Sequence, residues 1–292
     1  MTPMRVVAHA KVNLTLDVVA RRSDGYHELR GVFARVSLAD DVRVRGARRW
    51  HVRIHPPLGV RPDLAERAAR ELARRSERDL AAAISIRKRI PIASGLGGGS
   101  SDAAQVLRAL ARLWHLDDDA VAATAIAVGS DVPFFLDGAI AEVRGRGEVV
   151  APLRGGPWWG VLVIVRGRIA TSDAFARLDA SGWSDGARTA RLVAALRDGE
   201  VSAPMLRMLC GNDLDAVATS LCPEITAVRT RASPTRLFLS GSGPTLFAIA
   251  DGRGDALAIR RRLRRSGVRA ILTQIAIPPA DRREVDASRS RP

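Results

Sequence analysis

Polar and apolar residues alternate near the start of the chain. Val12, Leu14, Leu16 and Val18 interleave with Lys11, Asn13, Thr15 and Asp17. A period of two marks a half-buried strand. It places Lys11 and Asn13 on one face, away from the valine and leucine side. Further β signals follow at Val42/Val44, Val52/Ile54 and Ile84/Ile86. Between them, residues 63–75 are rich in Ala, Leu, Glu and Arg and predict a helix. A second helix is predicted over 100–114. There Ala103, Val106, Leu107, Leu110 and Leu113 recur at helical spacing, and Ser100 or Ser101 can cap the start. Asp117 opens a third helix that ends at Gly129. Residues 134–136 and 139–143 read as short strands around an Asp137-Gly138 turn.

A Gly155-Gly156-Pro157 cluster precedes an apolar strand at 158–165 and marks a domain boundary. The expected units are residues 1–155, residues 156–280 and a polar tail, 281–292. After the boundary the pattern predicts helices near 188–197 and 213–231, strands at 236–239 and 246–250, a helix at 255–266 and a strand at 270–277. The closing strand–strand–helix–strand run suggests an antiparallel sheet with helices on one face, a ferredoxin-like arrangement.

The length of 292 residues fits one large or two modest domains. Apolar residues make up 47% and charged residues 26%, ordinary for a soluble globular protein. The longest uncharged apolar stretch, 155–165, falls short of the roughly 20 residues of a membrane span. The N-terminus lacks the apolar block of a secretory signal. The expectation is a cytoplasmic protein with no membrane partner; oligomeric state is left open. Cys210 and Cys222 are not spaced as a metal or redox pair and read as reduced thiols.

The net charge is +15, and lysine occurs only at Lys11 and Lys88; every other basic residue is arginine. Such a surface attracts anions: nucleotides, phosphorylated metabolites or nucleic acid. Nucleic-acid binding draws little support, since only 4% of residues are aromatic and could stack on bases. Tyr26 is the single tyrosine.

The sharpest chemical feature is the run Pro91-Ile92-Ala93-Ser94-Gly95-Leu96-Gly97-Gly98-Gly99-Ser100-Ser101-Asp102, which joins a predicted strand to a predicted helix. Glycines let backbone turn sharply and approach a ligand closely. The helix behind them offers free N–H groups and a positive dipole end. Together these make a phosphate cradle. The alternative is a flexible loop with a serine cap. A Walker loop is excluded because neither lysine follows a glycine. The dinucleotide fingerprint fails because Ser100 stands where its third glycine belongs. Protein-kinase signatures are absent.

The loop resembles the second motif of the GHMP small-molecule kinases. Ser240-Gly241-Ser242-Gly243-Pro244 resembles their C-terminal glycine motif. Ala10-Lys11-Val12-Asn13-Leu14 and Asp24-Gly25-Tyr26-His27-Glu28-Leu29 are similar to one branch in particular, whose substrate is 4-diphosphocytidyl-2-C-methyl-D-erythritol. Gly129-Ser130-Asp131-Val132-Pro133-Phe134-Phe135 and Gly211-Asn212-Asp213-Leu214 fit the same branch. The resemblance implies an α+β, two-domain GHMP kinase fold. Its N-terminal domain would be like ribosomal protein S5 domain 2 and its C-terminal domain ferredoxin-like. It further implies ATP as phosphate donor, Mg²⁺, and transfer to the substrate's 2-hydroxyl in non-mevalonate isoprenoid synthesis.

Carried onto these residues, the resemblance makes Lys11 and Asp131 catalytic. Asp131 accepts the hydroxyl proton, and Lys11 holds hydroxyl and carboxylate together. On the residues alone, the favoured reading of Asp131 is a helix cap before Pro133. The loop, Pro91, Ile92, Ala93, Ser94, Gly95, Leu96, Gly97, Gly98, Gly99, Ser100 and Ser101, would bind ATP, with Ser101 on the metal. Asn13, Tyr26, His27, Thr171 and Phe175 would bind substrate: Tyr26 stacks on the cytosine, His27 bonds its edge, and Phe175 is either the other half of a sandwich or an ordinary core aromatic. Lys88 either faces the nucleotide or is solvated. Where the family carries Asn-Leu beside adenine, this chain has Asp63-Leu64, and an ionised Asp accepts hydrogen bonds but donates none. Rival readings are another GHMP kinase and an RNA-binding S5-like protein.

Overall fold

Strands β1 (Met4–Arg21) and β2 (His27–Ala47) pair antiparallel along nearly their whole length. This ribbon is the spine of the molecule. The computed structural model describes residues 3–57, 63–178 and 183–278; the expected tail, 281–292, lies outside the described residues. After the ribbon come β3 (His51–His55), α1 (Leu64–Arg75), β4 (Ala81–Arg87), α2 (Gly98–Trp114), α3 (Asp118–Val128), α4 (Phe134–Asp137), β5 (Ile140–Gly145) and β6 (Val149–Pro152). The rest is β7 (Trp158–Ile164), α5 (Thr171–Leu178), α6 (Ala187–Asp198), α7 (Ala203–Leu209), β8 (Gly211–Asn212), α8 (Asp215–Leu221), α9 (Glu224–Ala232), β9 (Phe238–Leu239), β10 (Leu246–Ala250), α10 (Arg253–Arg265) and β11 (Arg269–Ile275).

One edge of β2 carries β1. The other carries β5 at Leu29–Ala34, β11 at Val36 and β4 at Asp41–Ala47. The strands β11, β7, β10 and β9 lie in that order, all antiparallel. With α10 between β10 and β11, this is the predicted ferredoxin-like arrangement.

The alternation in β1 predicted a strand buried on one face. The strand is there, but both faces are covered: Lys11, Asn13, Thr15 and Asp17 are all 3% exposed or less. The glycine loop, the Ser240–Pro244 turn and the start of α6 close over the polar side. Bulges between His9 and Lys11 and between Asn13 and Thr15 reorient successive stretches of the strand. Val12 and Leu14 therefore pack with Leu162, Leu192 and Phe247, while Leu16 and Val18 join the core under α1 and α2, with Leu72, Leu107 and Leu110. Each fully buried side chain of this size contributes about 1.5–3 kcal/mol.

The helices at 63–75, 100–114 and from Asp117 form where expected. Asp63 and Asp117 cap α1 and α3 through Glu66 N and Ala120 N, at 3.0 and 2.7 Å. The expected serine cap on α2 does not form. Gly97, at φ 69°, holds the cap position, and Ser100 and Ser101 lie inside the first turn, where Ser101 N already donates to Gly97 O. Residues 134–136 are helical rather than a strand. Pro133, in the αR region, starts the turn, and three apolar residues are too few for periodicity to decide. The helix expected over 213–231 breaks into α8 and α9 at Pro223, which has no N–H to continue the ladder. Neither α5 nor α7 was legible from apolar spacing.

Candidate active site

A cleft of about 990 Å³ opens between the glycine loop, the β1–β2 turn and the second half of the chain. Three backbone segments meet at its floor. Lys11 N donates to Leu96 O at 3.0 Å, tying β1 to the loop. Thr245 N donates to Ser94 O, and Ser240 Oγ to Gly95 O at 3.1 Å, tying the loop to the second glycine turn. Asn13 Oδ1 accepts from Gly241 N at 2.7 Å, closing the ring. Asn212 fixes that turn from behind, its Nδ2 donating to Leu239 O and Gly241 O.

Glycine is required where these segments touch. Gly95 has φ 78°, and a Cβ there would lie 2.2 Å from Ser240 O; one on Gly97, at φ 69°, would lie 2.9 Å from the Phe135 ring. Gly99 has open space instead, on the cleft side of the first turn of α2. The result is a backbone cup that leads into the N-terminus of a 17-residue helix.

Lys11 sits beside the cup and is 3% exposed. Its Nζ donates to Asn13 Oδ1 at 2.7 Å, lies 3.6 Å from Asp131 Oδ2 and 4.8 Å from the centre of the Phe33 ring. Burial lowers its pKa, and the Asp131 carboxylate offsets part of that loss. Asp131 stands in the turn between α3 and α4, its side chain 33% exposed and facing the cleft. It is not the cap of α4; Pro133 occupies that position. A loosely held carboxylate beside a buried ammonium can take a proton from an alcohol and steady the charge that follows.

Across the cleft, the His27 and Phe175 rings stack at 4.7 Å with a 24° interplanar angle. Tyr26 is 53% exposed, with the Arg146 guanidinium 4.8 Å over its ring. Thr171 Oγ1 lies 3.1 Å from Ser242 Oγ. Of the residues assigned from the sequence to catalysis, ATP or substrate, all line this cleft except Leu96 and Ser101. Leu96 is core, and Ser101 is fully buried, its Oγ without a hydrogen-bond partner among the described residues. Ser100 is the hydroxyl that reaches the cleft. Asp63 caps α1 and is buried, so Leu64 is the member of that pair at the cleft wall.

Sequence reasoning missed Arg146, Trp183 and the partners of Lys88. Trp183 lies 5.7 Å from His27, tilted by 57°. Lys88 is not solvated; it is buried between Asp40 and Asp102. These contacts join residues far apart in the chain, and no local spacing signals them.

The family models agree with this geometry. Residues 63–139 match the GHMP kinases N terminal domain and residues 192–269 the GHMP kinases C terminal domain. The chain belongs to the GHMP kinases. It is therefore a small-molecule kinase, and ATP is the phosphate donor of its family. This GHMP kinase is 42% identical, over 93% of its length and 91% of the relative's, to a 4-diphosphocytidyl-2-C-methyl-D-erythritol kinase of Anaeromyxobacter dehalogenans. It is 37% identical to the enzyme of the same name from a Nocardioides species, over 91% and 94% of the two chains. A crystal structure of 4-(cytidine 5'-diphospho)-2C-methyl-D-erythritol kinase superposes with a TM-score of 0.77 at 36% identity, covering 93% of this chain and 99% of that one. A homoserine kinase from Cytophaga hutchinsonii shares the fold, with a TM-score of 0.70, at only 17% identity.

Proposed function

We propose that this GHMP kinase transfers the γ-phosphoryl group of ATP to the 2-hydroxyl of 4-diphosphocytidyl-2-C-methyl-D-erythritol. The observation that carries the proposal is the Lys11–Asp131 pair, 3.6 Å apart at the mouth of the glycine cup. The named relatives and the aromatic side chains Tyr26, His27 and Phe175 on the cleft wall support the choice of substrate.

In this reading residues 1–155 hold the nucleotide and residues 156–280 complete the acceptor site. Backbone N–H groups of the loop and the N-terminus of α2 take the phosphates. Gly95 and Gly97 keep the cup open and rigid. Phosphoryl transfer asks mainly for alignment and charge neutralisation. The acceptor oxygen attacks the γ-phosphorus, the bond to the β–γ bridging oxygen breaks, and ADP leaves. Asp131 accepts the hydroxyl proton. Lys11, locked by Asn13, holds the oxygen near Asp131 and offsets the charge that develops. Tyr26 offers its free face to the cytosine, and His27 offers a ring nitrogen to the base edge. Thr171, paired with Ser242, lies on the same wall.

Mg²⁺ neutralises phosphate charge in such transfers. Among the described residues no cluster of three acidic, histidine or cysteine side chains could hold a metal alone. Ser100, which lines the cleft, would be the hydroxyl to face an ion carried by the nucleotide; Ser101, expected on the metal, is fully buried and away from the cleft.

The test is ATP consumption measured with and without 4-diphosphocytidyl-2-C-methyl-D-erythritol. Consumption that depends on this substrate, with Tyr26→Ala raising its KM about tenfold and leaving that for ATP unchanged, is expected. Efficient use of a cytidine-free alcohol, or RNA binding without ATP turnover, contradicts the proposal.

A further inference from the structure

The turn between β5 and β6, Gly145-Arg146-Gly147-Glu148, brings to the cleft a charge that the phosphoryl transfer does not use. The turn is pinned on several sides. Gly145 N donates to Glu28 Oε1 at 3.1 Å, and Arg146 N to Glu148 Oε2 at 2.5 Å. Gly147 packs against the turn that carries Asp131, so closely that a Cβ on it would lie 2.8 Å from Ser130 O. Gly145 and Gly147 have φ 72° and 126°, so the backbone on either side of Arg146 asks for glycine. Arg146 itself is half-buried, and its guanidinium lies 4.8 Å over the Tyr26 ring.

Among the described residues that guanidinium makes no ion pair or hydrogen bond; the Tyr26 face is its contact. Asp24 feels its charge but is held elsewhere, by Arg22 Nε at 3.3 Å and Tyr26 N at 3.1 Å. Both lysines of the cleft, by contrast, face carboxylates: Lys11 faces Asp131, and Lys88 faces Asp40 and Asp102. A guanidinium stacked on an aromatic ring keeps its edge N–H groups for a planar fork onto phosphate oxygens. Its place says which phosphates. One end of the turn reaches Tyr26 on the aromatic wall, and the other touches Ser130, beside Asp131. An acceptor whose base lies on that wall and whose hydroxyl meets Asp131 carries its diphosphate across the span between them.

We propose that Arg146 reads the diphosphate of the acceptor: its stack on Tyr26 sets the plane of the guanidinium, and its edge N–H groups bond the phosphate oxygens, so that the site prefers a cytidine diphosphate to uncharged cytidine. The inference rests on the proposed acceptor. One face of Tyr26 then holds Arg146 and the other receives the base, so a single ring aligns base and diphosphate. Arg146 is a specificity residue with no part in the chemical step. The diphosphate stays unchanged while the phosphoryl group moves, so its contacts bind ground state and transition state alike and act on KM rather than kcat.

Two probes separate this role from a structural one: cytidine 5'-diphosphate and cytidine, each measured as an inhibitor competitive with the acceptor at saturating MgATP, which keeps both out of the glycine cup. The unsubstituted protein binds the diphosphate about tenfold more tightly than cytidine, the usual worth of hydrogen bonds to a charged group. Arg146→Met removes most of that preference. The inhibition constant of the diphosphate and the KM of the acceptor rise about tenfold, while that of cytidine and kcat stay within about twofold. Equal weakening of both probes means that Arg146 acts only by holding Tyr26, and overturns the proposal. An unchanged preference overturns it too. In either case turnover of the acceptor persists and the choice of substrate stands. Absence of acceptor-dependent ATP consumption in the unsubstituted protein removes the substrate and the proposal together. If Arg146→Met does not fold, the unsubstituted protein decides alone, and equal inhibition by the two probes overturns the proposal.

Discussion

The chain has two lysines, both are buried, and both line the same cleft, yet their surroundings differ. Lys88 is clamped at 2.5 Å by two carboxylates that water does not reach. Lys11 has one carboxylate, at 3.6 Å, a third of it open to the cleft. Burial lowers the pKa of Lys11, whereas two partners raise that of Lys88. An ammonium whose partners are saturated acts as a strut. One whose partner is distant and accessible can still bind a third group. The second arrangement suits a reacting hydroxyl, and the first suits the foundation of a loop.

The comparison fails if the two lysines respond alike to removal. Lys11→Ala is expected to lower kcat by about 10²–10⁴-fold and to leave the melting temperature nearly unchanged, because Asp131 can turn to water and Gly241 N still satisfies Asn13. Lys88→Met is expected to destabilise the protein by about 3–5 kcal/mol, the usual result of leaving buried charges uncompensated, as read by denaturant unfolding. A smaller effect sharpens the picture. Asp102 has a folded pKa of about 7, above its unfolded value, so the folded protein holds a proton that the unfolded chain has lost over that interval. Stability therefore falls as the pH rises toward 7. Asp102→Asn escapes this loss and should melt several degrees above the unsubstituted protein at pH 8, a gap that narrows at pH 5. An equal gap at both pH values would show that Asp102 does not titrate there.

Local patterns carried much of this molecule. The alternation from Lys11 to Val18 placed Lys11 and Asn13 side by side, and they hydrogen-bond each other at 2.7 Å. Apolar spacing located α2, and the glycine run located the cup. What local pattern could not carry was long-range. Asp40 and Asp102 lie 48 and 14 residues from Lys88, and only the folded β2–β4–α2 arrangement brings them together. For the same reason the polar face of β1 read as solvent-facing: the turn that covers Asn13 is 228 residues away. Short elements failed differently. In Phe134–Asp137 and Thr171–Leu178 there are too few turns for a helical period to separate from a strand or a loop.

In the proposed reaction Asp131, beside Lys11, takes the proton of the acceptor hydroxyl. The most direct test is the kcat of Asp131→Asn with saturating ATP and 4-diphosphocytidyl-2-C-methyl-D-erythritol, on protein whose circular dichroism and melting match the unsubstituted chain. A fall of about 100-fold or more with little change in either KM is the predicted result; turnover within about threefold of the unsubstituted protein, far less than a positioned base supplies, would contradict it.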